Sequence, residues 1–218
     1  MVYVKVDSVV AVSKFLATRL RLLLVEQPVT WFVSGGSCIQ LAVEAGRLPH
    51  EPSGRLAVML VDERYGSPKH PDSNWEQLRK AGFSLPGARL VPILDGQTRV
   101  QTARTFAAFV REALDTSYCI GLFGMGADGH TAGILPGSIA ADSTKLVAGY
   151  TAADFERITI TPAAIAQFDE AILYAVGPSK QTMLQNLADD LQLNRQPAQV
   201  LKQVPTVTIF NDYIGETL

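Results

Sequence analysis

The run Leu56-Ala57-Val58-Met59-Leu60-Val61 is apolar on both of its alternating faces. A strand of that kind has to be covered on both sides, and parallel sheets achieve this by laying crossover helices on each face. The chain repeats the arrangement. Short apolar runs at Val2–Val6, Val29–Val33, Arg89–Ile93, Tyr118–Phe123, Ala171–Val176 and Val207–Phe210 read as further strands. Between them lie stretches of helical period. One is capped by Asp7 or Ser8 and runs to about Gln27; others span Cys38–Ala45, stopped by Gly46, and Ser73–Ala81, closed by Gly82. Thr98–Leu114 and Pro178–Asp190 complete the helical set. Arg157–Ile160 reads as a short strand, followed by Thr161 as a cap with Pro162 at the first helical position. Pro136–Glu156 fits neither pattern. Strands alternating with helices predict an α/β layer fold with a mainly parallel sheet.

A chain of 218 residues is expected to form one domain over 1–218. At this length about 70 % of the unfolded surface can be buried, so no staples are required. The formal net charge of −2 gives no general attraction to nucleic acid or membranes. Cys38 and Cys119 sit in apolar contexts and read as small core residues rather than a metal site or disulfide framework. The segment after Met1 lacks an apolar signal-peptide region, and no run reaches the roughly 18 apolar residues of a membrane span. The expected compartment is the cytoplasm.

Chemistry concentrates in the turns that follow the strands. Tyr118–Phe123 runs into Gly124-Met125-Gly126-Ala127-Asp128-Gly129-His130-Thr131, where three glycines deform the backbone around an acid and a histidine. That placement suits a proton-transfer group at the carboxyl end of a sheet, where open α/β folds bind ligands. Ser34-Gly35-Gly36-Ser37 follows another strand and precedes a helix. It fits an anion site built from backbone N–H groups, and equally an ordinary tight turn with a Ser cap. It lacks the Gly-Lys-Ser/Thr ending of a Walker loop and the spacing of a dinucleotide fold. Asp62-Glu63-Arg64 ends the strongest strand. Those charges fit a solvated strand end, or Arg64 forking onto a phosphate while Asp62 orients a hydroxyl or a proton-transfer partner. The polar loop after it can close over a ligand, with Ser73-Asn74 capping the next helix; His70 in that loop is expected to be solvated. Lys180 follows Gly177-Pro178-Ser179 in a first helical turn, unfavourable for a cation unless an anion is bound there. Arg157 is a further candidate cation.

Taken together, Ser-Gly-Gly-Ser, Asp-Glu-Arg followed by Ser-Asn, Gly-Met-Gly-x-Asp-Gly-His-Thr-Ala with Pro136-Gly137-Ser138, Arg-Ile-Thr-Ile-Thr and Gly-x-x-Lys resemble the 6-phosphogluconolactonase family in order and across about residues 8 to 215. The Asp-Glu-Arg and Gly-Met-Gly-x-Asp-Gly-His blocks carry the specificity of the match. The chain departs from the family at Gly66, after Asp-Glu-Arg, and at Gly133, where the family usually has Ser. The resemblance implies a Rossmann-like three-layer α/β/α fold, shared with glucosamine-6-phosphate deaminase/isomerase, and hydrolysis of 6-phospho-D-glucono-1,5-lactone in the oxidative pentose phosphate pathway.

A lactone needs an activated water and a stabilised oxyanion, but no metal or organic cofactor. His130, of a residue type with a reference pKa near 6.5, suits the general base. Asp128 can hold its imidazole. Ser34, Gly35, Gly36, Ser37, Arg64 and Lys180 are expected to hold the phosphate, with Arg157 contributing. The expected partner is a small sugar-phosphate lactone, and the chain is expected to be a monomer or weak homodimer. A deaminase/isomerase reading is disfavoured by Ile134 and Leu135, which stand where that enzyme's Asn-Glu pair would be. The remaining alternative is a sugar-phosphate-binding regulator without catalysis.

Overall fold

The structure is a computed structural model and describes residues 1–47 and 54–217. Its main sheet has eight strands: β1 (Val2–Lys5), β2 (Val29–Val33), β3 (Leu56–Leu60), β5 (Arg89–Val91), β6 (Tyr118–Gly124), β9 (Glu170–Ala175), β10 (Thr206–Asn211) and β11 (Glu216–Thr217). Their spatial order is β11-β1-β10-β9-β6-β2-β3-β5, and every neighbouring pair is parallel. The central strands are largely apolar because both faces are covered; all five residues of β2, Thr30 included, are buried. Phe32, Phe123 and Phe168 meet in the core, with ring centroids 4.6 Å apart for Phe32–Phe168 and 6.0 Å for Phe123–Phe168.

The helices are α1 (Val9–Glu26), α2 (Cys38–Arg47), α3 (Asn74–Lys80), α4 (Arg99–Thr116), α5 (Pro162–Ile165) and α6 (Gln181–Asn186). Ser8 caps α1, Ser73 caps α3, and Thr98 with Gln101 forms a capping box on α4. The helix expected over Cys38–Ala45 runs two residues further, through Gly46 to Arg47. The helix expected over Pro178–Asp190 is shorter: a 3-10 turn at Pro178–Lys180 leads into α6, which ends before the poor helix formers Asp189 and Asp190.

Chain direction through the sheet explains where a cleft opens. From β2 the chain moves outward through α2 to β3 and through α3 to β5; from β6 it moves the other way, to β9 and β10. Right-handed crossovers then set α1, α2 and α3 on one face and α4, α5 and α6 on the other. α1 packs on α2, and α2 on α3, as this requires. β2 and β6 are neighbours whose onward connections diverge, the switch point at which such sheets form a crevice beyond their carboxyl ends.

One part of the architecture departs from the expected alternation. β4 (Asp62–Arg64), β8 (Glu156–Ile160) and β7 (Val147–Thr151) form a separate three-stranded antiparallel sheet. The strand expected at Arg157–Ile160 therefore lies outside the main sheet, and the unassigned Pro136–Glu156 supplies its partner β7. A turn closed by Ala152 N–H to the Phe155 carbonyl at 2.8 Å joins them. Among the described residues, no helix is long and apolar enough to cross a membrane.

Candidate active site

A cleft of about 420 Å³ opens at the β2/β6 switch point. Its walls include Ser34–Ser37 after β2, Asp62 and Arg64 on β4, Gly126 and His130 after β6, Arg157 on β8 and Lys180 after β9. Every site residue expected from sequence lines it except Asp128, which touches His130 instead. A larger groove of about 640 Å³ between α4 and β7 holds none of those residues.

The glycine turn builds an Asp-His pair. Asp128 Oδ1 accepts from His130 Nδ1 at 2.7 Å and from the His130 backbone N–H at 3.1 Å. Burial raises the Asp128 carboxyl, but the His130 backbone bond and the imidazole outweigh it and hold the acid below its ordinary range. An ionised carboxylate only accepts, so the Nδ1 it contacts carries the proton; in the neutral imidazole Nε2 then holds the lone pair. Gly126 is what lets this pair close. A Cβ there would collide with His130 Nδ1 and come within 2.5 Å of Asp128 Oδ1. Its own N–H and carbonyl fasten the turn, to His130 O at 2.9 Å and from Gly129 N at 3.0 Å.

The opposite wall is cationic. Arg64 and Arg157 stand directly opposite each other in the β4–β8 pair, a like-charge placement that destabilises a sheet unless an anion compensates. Both guanidinium groups lie over the Phe155 ring, at 5.2 and 5.7 Å from its centroid. Arg64 Nη1 donates to the Asp72 carbonyl at 2.8 Å. Arg157 Nη2 donates to Asp154 at 2.7 Å, and its Nη1 is 3.7 Å from Asp62 Oδ2. Arg64 Nε, Arg157 Nε, Ser34 Oγ and Asn74 Oδ1 are buried without a hydrogen-bond partner, and all four residues line this cleft. Buried polar groups are ordinarily satisfied, so this clustering marks a place built for a polar ligand.

Asp62 is buried, which raises its carboxyl pKa; Arg157, Arg64 and His130 pull it back. It packs against the loop after His130, where Ala132 and Gly133 both have positive φ, 50° and 66°. A Cβ at Gly133 would lie 2.5 Å from Asp62 Oδ2, so the glycine found here in place of the family's Ser permits that approach.

Glu63, beside Asp62, is fully buried and serves structure. It accepts from Arg64 N (2.8 Å), Asn74 N (2.6 Å), Trp75 N (3.1 Å) and Ser73 Oγ (2.8 Å), pinning the start of α3 to β4. Asn74 thereby faces the cleft, as its capping position suggested, and its Nδ2 donates to the Asp62 carbonyl at 3.0 Å. His70, expected to be solvated, is instead half-buried and donates to the Arg64 carbonyl at 2.9 Å. Gly66 makes room for it: a Cβ there would lie 2.9 Å from the imidazole.

Residues 5–210 match the family of glucosamine-6-phosphate isomerases/6-phosphogluconolactonase. The chain belongs to that family. A 6-phosphogluconolactonase of Nostoc sp. is 33 % identical over 178 residues, covering 73 % of this chain and 72 % of that protein. One of Synechocystis sp. is 28 % identical over 200 residues, covering 85 % and 83 %. The solved 6-phosphogluconolactonase of Thermotoga maritima superposes with a TM-score of 0.84 at 22 % identity, covering 96 % of this chain and 99 % of that one. A monomeric glucosamine-6-phosphate deaminase superposes with a TM-score of 0.80 at 19 % identity, covering 98 % of each chain. The glucosamine-6-phosphate isomerase/6-phosphogluconolactonase fold therefore carries both chemistries, and side chains have to separate them. Ile134, which is fully buried, and Leu135, half-buried, stand where the resemblance places the deaminase's Asn-Glu pair, and neither can titrate.

Sequence reasoning missed Asp154 and Tyr174, which also line the cleft. Tyr174 sits in an apolar strand and reads as core. Asp154 lies in the hairpin turn between β7 and β8, three residues before Arg157, with which it pairs.

Proposed function

We propose that the chain hydrolyses 6-phospho-D-glucono-1,5-lactone to 6-phosphogluconate, as a single catalytic domain over 1–218. One observation carries the reading: an Asp-oriented histidine faces the same cleft as Arg64, Arg157, Lys180 and a Ser-Gly-Gly-Ser helix start. Two curated relatives that bear the lactonase name, and the untitratable Ile134 and Leu135, favour it over deamination.

In this reading His130 Nε2 removes a proton from water as the water oxygen attacks the lactone carbonyl. Asp128 fixes the productive tautomer and stabilises the imidazolium that forms. As the tetrahedral oxyanion collapses, the bond from C1 to the ring oxygen breaks, and the proton on Nε2 passes to that oxygen. The product acid then ionises. Lys180, Arg64 and the N–H groups of the Ser34–Ser37 turn hold the phosphate, with Arg157 as a second cation beside Arg64. Asp62 orients a substrate hydroxyl. Anchoring the remote phosphate positions the reacting carbonyl. No cofactor takes part.

The test is turnover of the phosphorylated lactone above its spontaneous hydrolysis, with and without EDTA, alongside ammonia release from glucosamine 6-phosphate. Lactone turnover that survives EDTA, with no ammonia released, is expected. Ammonia release without lactone turnover would reverse the assignment, and absence of both would leave the regulator reading.

A further inference from the structure

Two glutamines lie behind the cleft, and one of them touches both of its working ends. Gln196 and Gln199 are 1 % and 4 % exposed, and neither lines the cleft. Gln196 Nε2 donates to the Met183 carbonyl at 2.7 Å. Gln199 Nε2 donates to the Asn186 carbonyl at 2.8 Å and to Gln196 Oε1 at 3.0 Å. Met183 and Asn186 belong to the last turn of α6, and the Asn186 carbonyl also accepts from Asp189 N at 3.1 Å. The glutamine pair thus grips the carboxyl end of α6, while Lys180 stands at its amino end.

Gln196 also braces the catalytic turn. At Gly129, between Asp128 and His130, a Cβ would lie 2.7 Å from Gln196 Cγ and 3.2 Å from Met183 Sδ. The Gly129 carbonyl accepts from Ala198 N at 3.1 Å, two residues beyond Gln196. Gln196 therefore joins two segments: the turn ending in His130 and the helix beginning after Lys180. A burying side chain with one donor and one acceptor suits this position, because Gln196 both gives to α6 and receives from Gln199. An aliphatic residue would fill the space and leave the helix carbonyl without its donor.

We propose that Gln196 is a positioning residue that sets the separation of Lys180 and His130, so that a substrate anchored by its phosphate presents its carbonyl to the base. This rests on the lactonase reading above. Its consequence is specific to substrates that use both ends. Unphosphorylated gluconolactone does not engage Lys180 and gains nothing from a fixed spacing.

The test compares wild type, Gln196→Met, which keeps the volume without the hydrogen bonds, and Gln199→Met, which removes the second link. Each is assayed for kcat and KM on the phosphorylated and unphosphorylated lactones, with thermal unfolding followed in parallel. For Gln196→Met we expect kcat on the phosphorylated lactone to fall by roughly 10- to 100-fold, the order of loss that misplacement by about 1 Å produces. KM should change little, and turnover of gluconolactone should stay within about twofold of wild type. Gln199→Met should show the same pattern more weakly. Equal losses on both lactones would overturn the proposal, since Gln196 would then merely support the His130 turn. Unchanged kinetics would overturn it as well. If Gln196→Met does not fold, Gln199→Met decides by the same ratio. Wild type without lactone turnover would instead defeat the lactonase reading, and the brace with it.

Discussion

At the scale of single residues, the proposed function gives the cleft a proton-transfer end and an anion end, and each makes its own prediction. Asp128 reaches His130 Nδ1 at 2.7 Å, which frees Nε2 for the water. His130→Ala should lower lactone turnover by about 10²–10⁴-fold, the usual range for general acid–base catalysis, while the protein stays folded. Rates must be corrected for spontaneous hydrolysis; turnover close to wild type would remove His130 from the mechanism. Arg64 and Lys180 belong to the anion end. Charged hydrogen bonds of this type contribute about 1.5–3 kcal/mol, so Arg64→Ala and Lys180→Ala should each lower kcat/KM on the phosphorylated lactone by one to two orders of magnitude. The measurement is the ratio of that loss to the loss on unphosphorylated gluconolactone. A ratio near one would mean these cations act on the reacting carbonyl or on folding.

At the scale of elements, the site depends on how the chain leaves β3. It passes at once into β4, and Glu63 uses that position to hold the first residues of α3. Glu63→Ala would leave the Asn74 and Trp75 N–H groups and the Ser73 hydroxyl without their acceptor. Each buried unsatisfied group costs about 1–3 kcal/mol, so a loss of at least ~2 kcal/mol and several degrees of Tm is expected. KM should rise too, because Arg64 and Asn74 lose their common anchor. An unchanged Tm would show that water replaces the carboxylate without penalty. The pH dependence has a definite sign. Burial raises the Glu63 carboxyl more than its hydrogen bonds lower it, so the folded chain binds that proton more tightly than the unfolded chain. The contribution of Glu63 is therefore fully present below the ordinary glutamate range and declines as pH rises through the raised folded value. The Tm gap between wild type and Glu63→Ala should widen as pH falls from 7 towards that range.

At the scale of the whole molecule, the two chain ends are interleaved. β1 lies between β10 and β11, with Val2–Lys5 in register with Thr208–Asn211. Deleting residues 1–6 would remove the buried Val6 and uncover the long edge of β10, so a large loss of stability and aggregation through that edge are expected. Deleting residues 216–218 removes the exposed two-residue β11 and should leave turnover nearly unchanged. Soluble yield, Tm and lactone turnover of the two deletions check this. Similar behaviour of both would mean that β1 is not the structural partner of β10.

The strands and the turns were legible in the sequence because their causes are local. A run apolar on both faces, as in Leu56–Leu60, fits only a strand covered on both sides. Glycines grouped around Asp128 and His130 relax the backbone wherever that segment is placed. Capping residues such as Ser8, Ser73 and Thr98 act within a single helical turn. The small antiparallel sheet was not legible, because β4 is only three residues long and finds β8 almost a hundred positions later. That long-range pairing alone sets Arg64 against Arg157. Likewise nothing near Gln196 in sequence shows that it meets Gly129 and α6. Sequence determined which groups could do the chemistry; the tertiary pairing of distant segments decided which of them face one cleft.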